Sequence, residues 1–309
     1  MSRLPGALSY DGQRILLKYH RLLSGTGAHP PNSLSALREV LDGGAEVIEF
    51  DVTAIAGAEY LLIHDEILDR ETTGSGPVRP TTPAQAKRLR LRGWEEPPAL
   101  LSEVREILAA WRRPVKVQVD LKDQYPLSSE DARGFLRAIE PLRANARLSV
   151  VVGCLADWNL RLLRRLDPAL ALGLDFALYL DAPVPEFPRL PVRENVFGYL
   201  DDHPLGFRRG VSVQDYLRDR IESLCRLVPG AVEVYLRVEF IERALEDGVN
   251  PVEVVRETLG DIRTDGWTLN ADDAQAEAKL RLLLSSGVGQ VTTDTAVQLA
   301  AFLGRGAAR

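Results

Sequence analysis

Four short clusters in the first 122 residues carry the side chains that move protons and neutralise phosphate. They are His20-Arg21, Glu49-Phe50-Asp51, His64-Asp65 and Asp120-Leu121-Lys122. Two imidazoles can serve as acid and base, carboxylates can hold a divalent cation, and Arg21 and Lys122 can meet an anion. Each cluster stands at or near the end of an apolar run. The set suits metal-assisted chemistry on a phosphate ester.

Spacing assigns the roles. Glu49 and Asp51 are two apart, so a strand places both on one face. Alone they repel, and a cation between them relieves the repulsion. Asp120 and Lys122 alternate onto one face in the same way. Asp120 is thus a candidate third ligand and Lys122 a candidate phosphate contact, unless the two form an interior ion pair. His20 and His64 end strand-like runs and could pair as acid and base, whereas Asp65 equally suits a turn or helix cap. Trp267, in Trp267-Thr268-Leu269-Asn270, reads as a pocket wall or a packing residue. Asp294 reads as a helix cap or a site residue. Gly74-Ser75-Gly76 lacks the Lys-Ser/Thr of a phosphate-binding loop and is read as a turn. His29 and His203 lie in proline-flanked loops and are expected in solvent. Neither G-x-S-x-G nor H-E-x-x-H occurs, which argues against serine hydrolases and zincins.

The elements that must position these groups alternate. Strands are expected at Ile15–Tyr19, Glu46–Val52, Val115–Lys122, Leu148–Cys154, Ala171–Phe176, Val232–Val238, Gly266–Leu269 and Gln290–Thr293, with a further short one at Tyr60–Ile63. Between them, apolar residues recur at helical spacing over Ser33–Leu41, Leu101–Trp111, Ser129–Leu142, Asp157–Leu166, Phe240–Asp247, Val252–Leu259 and Ala274–Ser285. Repeated strand–helix units imply a parallel sheet, and about eight of them favour a closed (β/α)8 barrel. An open doubly wound sheet ranks second, since no G-x-G-x-x-G follows an early strand. The proline-rich stretch near 180–210 reads as a loop insertion, and no linker divides residues 1–309, so one domain is expected.

Composition bounds the reading. A net charge of −6 over 309 residues argues against a broad nucleic-acid surface, while leaving room for a cationic pocket. The two cysteines, Cys154 and Cys225, have neither metal-ligand spacing nor a neighbouring His, and both are expected as buried thiols. No stretch approaches the ~20 apolar residues of a membrane span, and the N-terminal residues lack an apolar signal core. A cytoplasmic protein acting on a small molecule is expected.

Taken in order, the clusters resemble the glycerophosphodiester phosphodiesterase family. The match runs from about residue 15 onward: His20-Arg21, Pro31-Asn32-Ser33, Glu49-Phe50-Asp51, His64-Asp65 with Leu68-Asp69-Arg70-Glu71-Thr72, Asp120-Leu121-Lys122, Trp267-Thr268-Leu269-Asn270 and Thr293-Asp294. The resemblance implies a TIM barrel of the phospholipase-C-like type. It implies metal-dependent hydrolysis of glycerophosphodiesters to glycerol phosphate and an alcohol. Glu49, Asp51 and Asp120 would hold Ca²⁺ or Mg²⁺, as oxygen-only ligation suggests. Arg21, Lys122 and Trp267 would bind substrate, with His20 and His64 as general acid and base. The chain departs from the family pattern at Leu22 for Gly, Pro31 for Glu, Ala54–Glu59 for a Thr-Lys-Asp-Gly turn, and Asp120 for Glu. Two alternatives stay open: a lysophospholipid or sphingolipid phosphodiesterase or lyase, and an impaired barrel that binds a phosphorylated ligand.

Overall fold

The structure, a computed structural model, describes residues 3–182 and 212–304. The expected insertion near 180–210 falls, from residue 183, outside the described residues, as does His203.

The chain opens with a hairpin of β1 (Ala7–Tyr10) and β2 (Gln13–Tyr19). Its turn is Asp11-Gly12, at φ 47° and 75°. Two-residue hairpin turns of this hand need positive φ at both central positions, which Asp-Gly supplies readily. A second hairpin joins β3 (Val47–Ile55) to β4 (Glu59–Leu61). The strands β5 (Val115–Leu121), β6 (Leu148–Cys154), β7 (Leu172–Asp175), β8 (Glu233–Arg237), β9 (Arg263–Trp267) and β10 (Gln290–Thr293) follow.

β2, β3 and β5 to β10 are parallel, and β2 pairs with both β10 and β3. The eight strands therefore close into a barrel, as expected, and β1 and β4 lie antiparallel outside the ring. The run read as Tyr60–Ile63 is the return arm of the β3 hairpin, so it adds no barrel strand.

Helices cover the outside. Leu34–Gly43 starts at Ser33, whose side chain accepts the Ala36 N–H, and stops at Gly44 with φ 86°. Leu37, Val40 and Leu41 are buried beneath it. Ser128 and Asp131 form a capping box for Ser129–Arg143. Two-residue periodicity then fixes which strand residues face inward.

The inward positions below the mouth are polar. Lys18 Nζ lies 2.5 Å from Asp265 Oδ2, and Gln290 Nε2 and Thr292 Oγ1 donate to the same carboxylate at 2.6 and 2.9 Å. Lys116 pairs with Glu233, which also accepts from the Tyr235 hydroxyl at 3.1 Å. Gly153 and Gly173 make room for this layer, because a Cβ at Gly173 would run into the Tyr235 ring. Among the described residues no helix is long and apolar enough to cross a membrane. Cys154 and Cys225 are buried free thiols.

Candidate active site

Two residues beyond each inward-facing layer stand the side chains of the barrel mouth. They are His20 after β2, Asp51 on β3, Asp120 on β5, Leu155 after β6, Asp175 on β7, Arg237 on β8, Trp267 on β9 and Asp294 after β10. The parallel strands bring six titratable groups to one end, the end where barrels of this kind carry their chemistry.

His20 begins a single helical turn, His20–Leu22. Its Nδ1 lies 2.8 Å from Asp294 Oδ1, across the seam where the first and last barrel strands meet. Asn270 Nδ2 donates to Asp294 Oδ2 at 2.8 Å, and its Oδ1 accepts the Asp294 N–H at 2.8 Å. Burial lowers the His20 imidazole below its ordinary value, although the hydrogen bond and charge of Asp294 oppose that shift. The ring is therefore neutral near pH 7.

Arg21 and Leu22 take positive φ, 49° and 65°. The Arg21 N–H thereby points at Glu49 Oε2, 2.7 Å away. A β-carbon in this region costs about 1–2 kcal/mol. Leu22 is fully buried, and burying a leucine contributes about 1.5–3 kcal/mol. Leucine in place of the family glycine is thus tolerated.

Glu49, Asp51 and Asp120 each offer an oxygen within 4.8 Å of the others. Lys122 Nζ sits 2.9 Å from Asp51 Oδ1 and 2.5 Å from Asp120 Oδ2. Burial alone would lower this ammonium, but Asp120, Asp51 and Glu49 raise it well above the usual lysine value. Burial, then Asp51 and Asp120, push the Glu49 carboxyl well up. Burial opposes ionisation of Asp51 too, yet Lys122, His64, His20 and Arg21 hold it below the usual carboxylate range. Asn32 clamps Asp51, donating to Oδ2 at 2.9 Å and accepting its N–H at 3.1 Å. Asp51 Oδ1 is buried and accepts no well-directed hydrogen bond; the nearby ammonium is its counter-charge. Three carboxylates face one ammonium here. The oxygen-only set and the unsatisfied Asp51 oxygen fit a hard divalent cation.

His64 lies on the chain leaving β4, half-exposed, with Nδ1 3.0 Å from Asp65 Oδ1. Glu71 accepts the His64 and Asp65 N–H groups at 3.0 and 2.7 Å and so shapes that turn. His64, Asp65 and Glu71 form a second group of neighbouring ligand atoms. Across the mouth, Arg237 pairs with Asp181 at 2.8 Å and lies 5.7 Å above the Trp267 ring. His29 is only partly exposed: it lines a cavity of about 240 Å³ with Ser24, Glu39 and Asp294.

Three residues at this site were not singled out from sequence as site residues. Asn32 read as part of a helix start, yet Ser33 is the cap and Asn32 holds Asp51. Asp175 and Arg237 end their strands and Asp120 stands one residue short of the end of its own, and that shared placement is the available signal.

The sequence model of the glycerophosphoryl diester phosphodiesterase family matches residues 20–179. The chain belongs to that family. Membership places it among the phosphoric diester hydrolases. A glycerophosphodiester phosphodiesterase of Caldanaerobacter subterraneus subsp. tengcongensis is 24% identical over 223 residues, covering 66% of this chain and 86% of the relative. An Oleispira antarctica phosphodiesterase, in complex with the product sn-glycerol-3-phosphate, superposes with TM-score 0.64 at 16% identity, covering 93% of this chain and 96% of that one. A glycerophosphodiester phosphodiesterase from Parabacteroides distasonis gives 0.61 at 16% identity, covering 94% and 97%. At such identities these solved structures speak for the barrel, and the family match carries the membership.

Proposed function

We propose that this mouth hydrolyses glycerophosphodiesters to a glycerol phosphate and an alcohol, using one divalent cation, Ca²⁺ or Mg²⁺. The observation that carries the reading is the convergence of Glu49, Asp51 and Asp120 beside Lys122 and His20. Glu49, Asp51 and Asp120 would hold the cation. Bound there, it supplies positive charge to the phosphoryl oxygens as their negative charge grows.

The chain's own groups do the rest. Arg21 and Lys122 draw the phosphodiester to the mouth, and Trp267 walls the substrate. His20 carries its proton on Nδ1 toward Asp294, so Nε2 is free to take a proton from the attacking oxygen. Neutrality near pH 7 favours this base role. As the bond from phosphorus to the leaving oxygen breaks, His64 gives that oxygen its proton. A cytoplasmic setting accords with the two buried free thiols.

The test is a hydrolysis screen across head groups with Ca²⁺, Mg²⁺, Mn²⁺ or a chelator. Release of glycerol phosphate that stops on chelation and returns with one cation supports the reading. Binding of glycerophosphodiesters without turnover under any cation would leave a ligand-binding barrel instead.

A further inference from the structure

The mouth has two unlike halves. His20, Arg21, Asp51, Asp120 and Lys122 crowd one side. Asp175, Arg237 and Trp267 stand on strands away from it. β7 is four strands from β2 in either direction round the ring, so Asp175 faces His20 across the barrel axis. Gly173 points inward, since its Cβ would meet Tyr235, and period two then brings Asp175 inward at the mouth.

Asp175 is held in place on one side only. Its Oδ1 accepts the Ala177 N–H at 2.8 Å, which fixes the carboxyl plane. Among the described residues Oδ2 takes no hydrogen bond, and Asp175 keeps some exposure, so Oδ2 is open to the mouth. Burial, with Asp120 and Asp181 adding repulsion, pushes this carboxyl up to about 8. A carboxylate oxygen accepts from a hydroxyl, and a protonated one can donate as well. With one oxygen committed to a backbone N–H and the other open, the group offers one short-range partner position, which a hydroxyl matches in either protonation state.

We infer that Asp175 is a specificity residue that contacts a hydroxyl of the substrate's glycerol unit, opposite the phosphate held on the His20 side. The inference rests on the hydrolysis proposed above. Glycerol is the part common to that substrate class, and a residue reading it need not read the head group.

The experiment compares Asp175→Ala and Asp175→Asn with the unaltered protein on three substrates. These are glycerophosphocholine, glycerophosphoglycerol and bis(p-nitrophenyl) phosphate, which has no glycerol. Asp175→Ala should lower kcat/KM for both glycerol substrates about tenfold or more, mainly through KM, and leave the nitrophenyl ester within about twofold. Asp175→Asn keeps a donor and an acceptor and should retain much of the lost preference. Equal loss on all three substrates, or no loss on any, would overturn the inference. Loss confined to glycerophosphocholine would also overturn it and mark Asp175 as a contact for the cationic head group. Failure of the unaltered protein to hydrolyse either glycerol substrate would instead reject the proposed activity itself.

Discussion

His20 Nδ1 and Asp294 Oδ1, 274 residues apart in the chain, meet at 2.8 Å where β2 closes against β10. Closure of the barrel is therefore what orients the proposed base. Asp294 is itself held by Asn270, so the imidazole inherits its direction from the last two strands. Asp294→Asn should lower turnover on the order of 10²-fold by loosening the tautomer and ring orientation. The pH profile gives a sharper reading. Asp294 raises the imidazole against the larger lowering by burial. Removing its charge lets burial act with less opposition, so the acid limb of kcat/KM should move to lower pH. An acid limb that stays put would detach His20 from that titration.

The two imidazoles differ in setting, and their loss should still cost alike. His20 is enclosed beside Asp294, while His64 sits half-exposed beside Asp65. His20→Ala and His64→Ala should each reduce turnover by ~10²–10⁴-fold, since each removes one proposed proton-transfer group. Circular dichroism should show both variants folded. Near-normal turnover in either one would remove that residue from the reaction.

The barrel interior makes its own prediction. A Cβ at Gly173 would overlap the Tyr235 ring, which is buried and donates to Glu233. Gly173→Ala should destabilise by about 1–3 kcal/mol, read as a lower melting temperature. Tyr235→Phe removes the hydroxyl nearest that carbon. The double variant should therefore lose less than the sum of the two single changes. Additive losses would show that Tyr235 does not fill the space that glycine leaves.

Which parts of this molecule were legible in the sequence follows from the range of each signal. Leu148–Cys154, Asp157–Leu166 and Gln290–Thr293 lie where periodicity placed them, because each is a clean run with its own stop. The hairpin strand Ala7–Tyr10 is too short for periodicity to mark it, although Asp11-Gly12 is a strong turn signal. The site clusters were legible because paired residues on one strand announce a shared face. Lys18, Asp265 and Gln290 were not, since each is a lone polar residue on its own strand. Only closure brings them together, and closure is a long-range event without a local pattern. Asn32 escaped for a related reason: its partner Asp51 lies on the next strand, and locally it resembles a cap.

Asp120, proposed above as a cation ligand, is a position where this chain departs from its family, and the surroundings sharpen what that should do. Aspartate reaches about one methylene less far than glutamate. Lys122 Nζ already lies 2.5 Å from one Asp120 oxygen, and a Cβ at Gly153 would fall 2.6 Å from the other. The carboxylate is thus short and shared with an ammonium, so a cation there should keep more water. Mg²⁺ retains water readily, whereas Ca²⁺ tolerates irregular geometry. Asp120→Glu should tighten cation binding if Gly153 leaves room for the longer side chain. Asp120→Asn should weaken it by about tenfold or more, because one of three anionic ligands is lost. Lys122→Met should tighten binding by removing the competing charge, yet depress turnover because the phosphate loses a partner. Calorimetric titration of the four proteins with Ca²⁺ and Mg²⁺ separates these outcomes. Equal affinities throughout would exclude Asp120 as a ligand. Opposite responses of binding and turnover in Lys122→Met would mark the ammonium as both a rival of the cation and its partner on the phosphate.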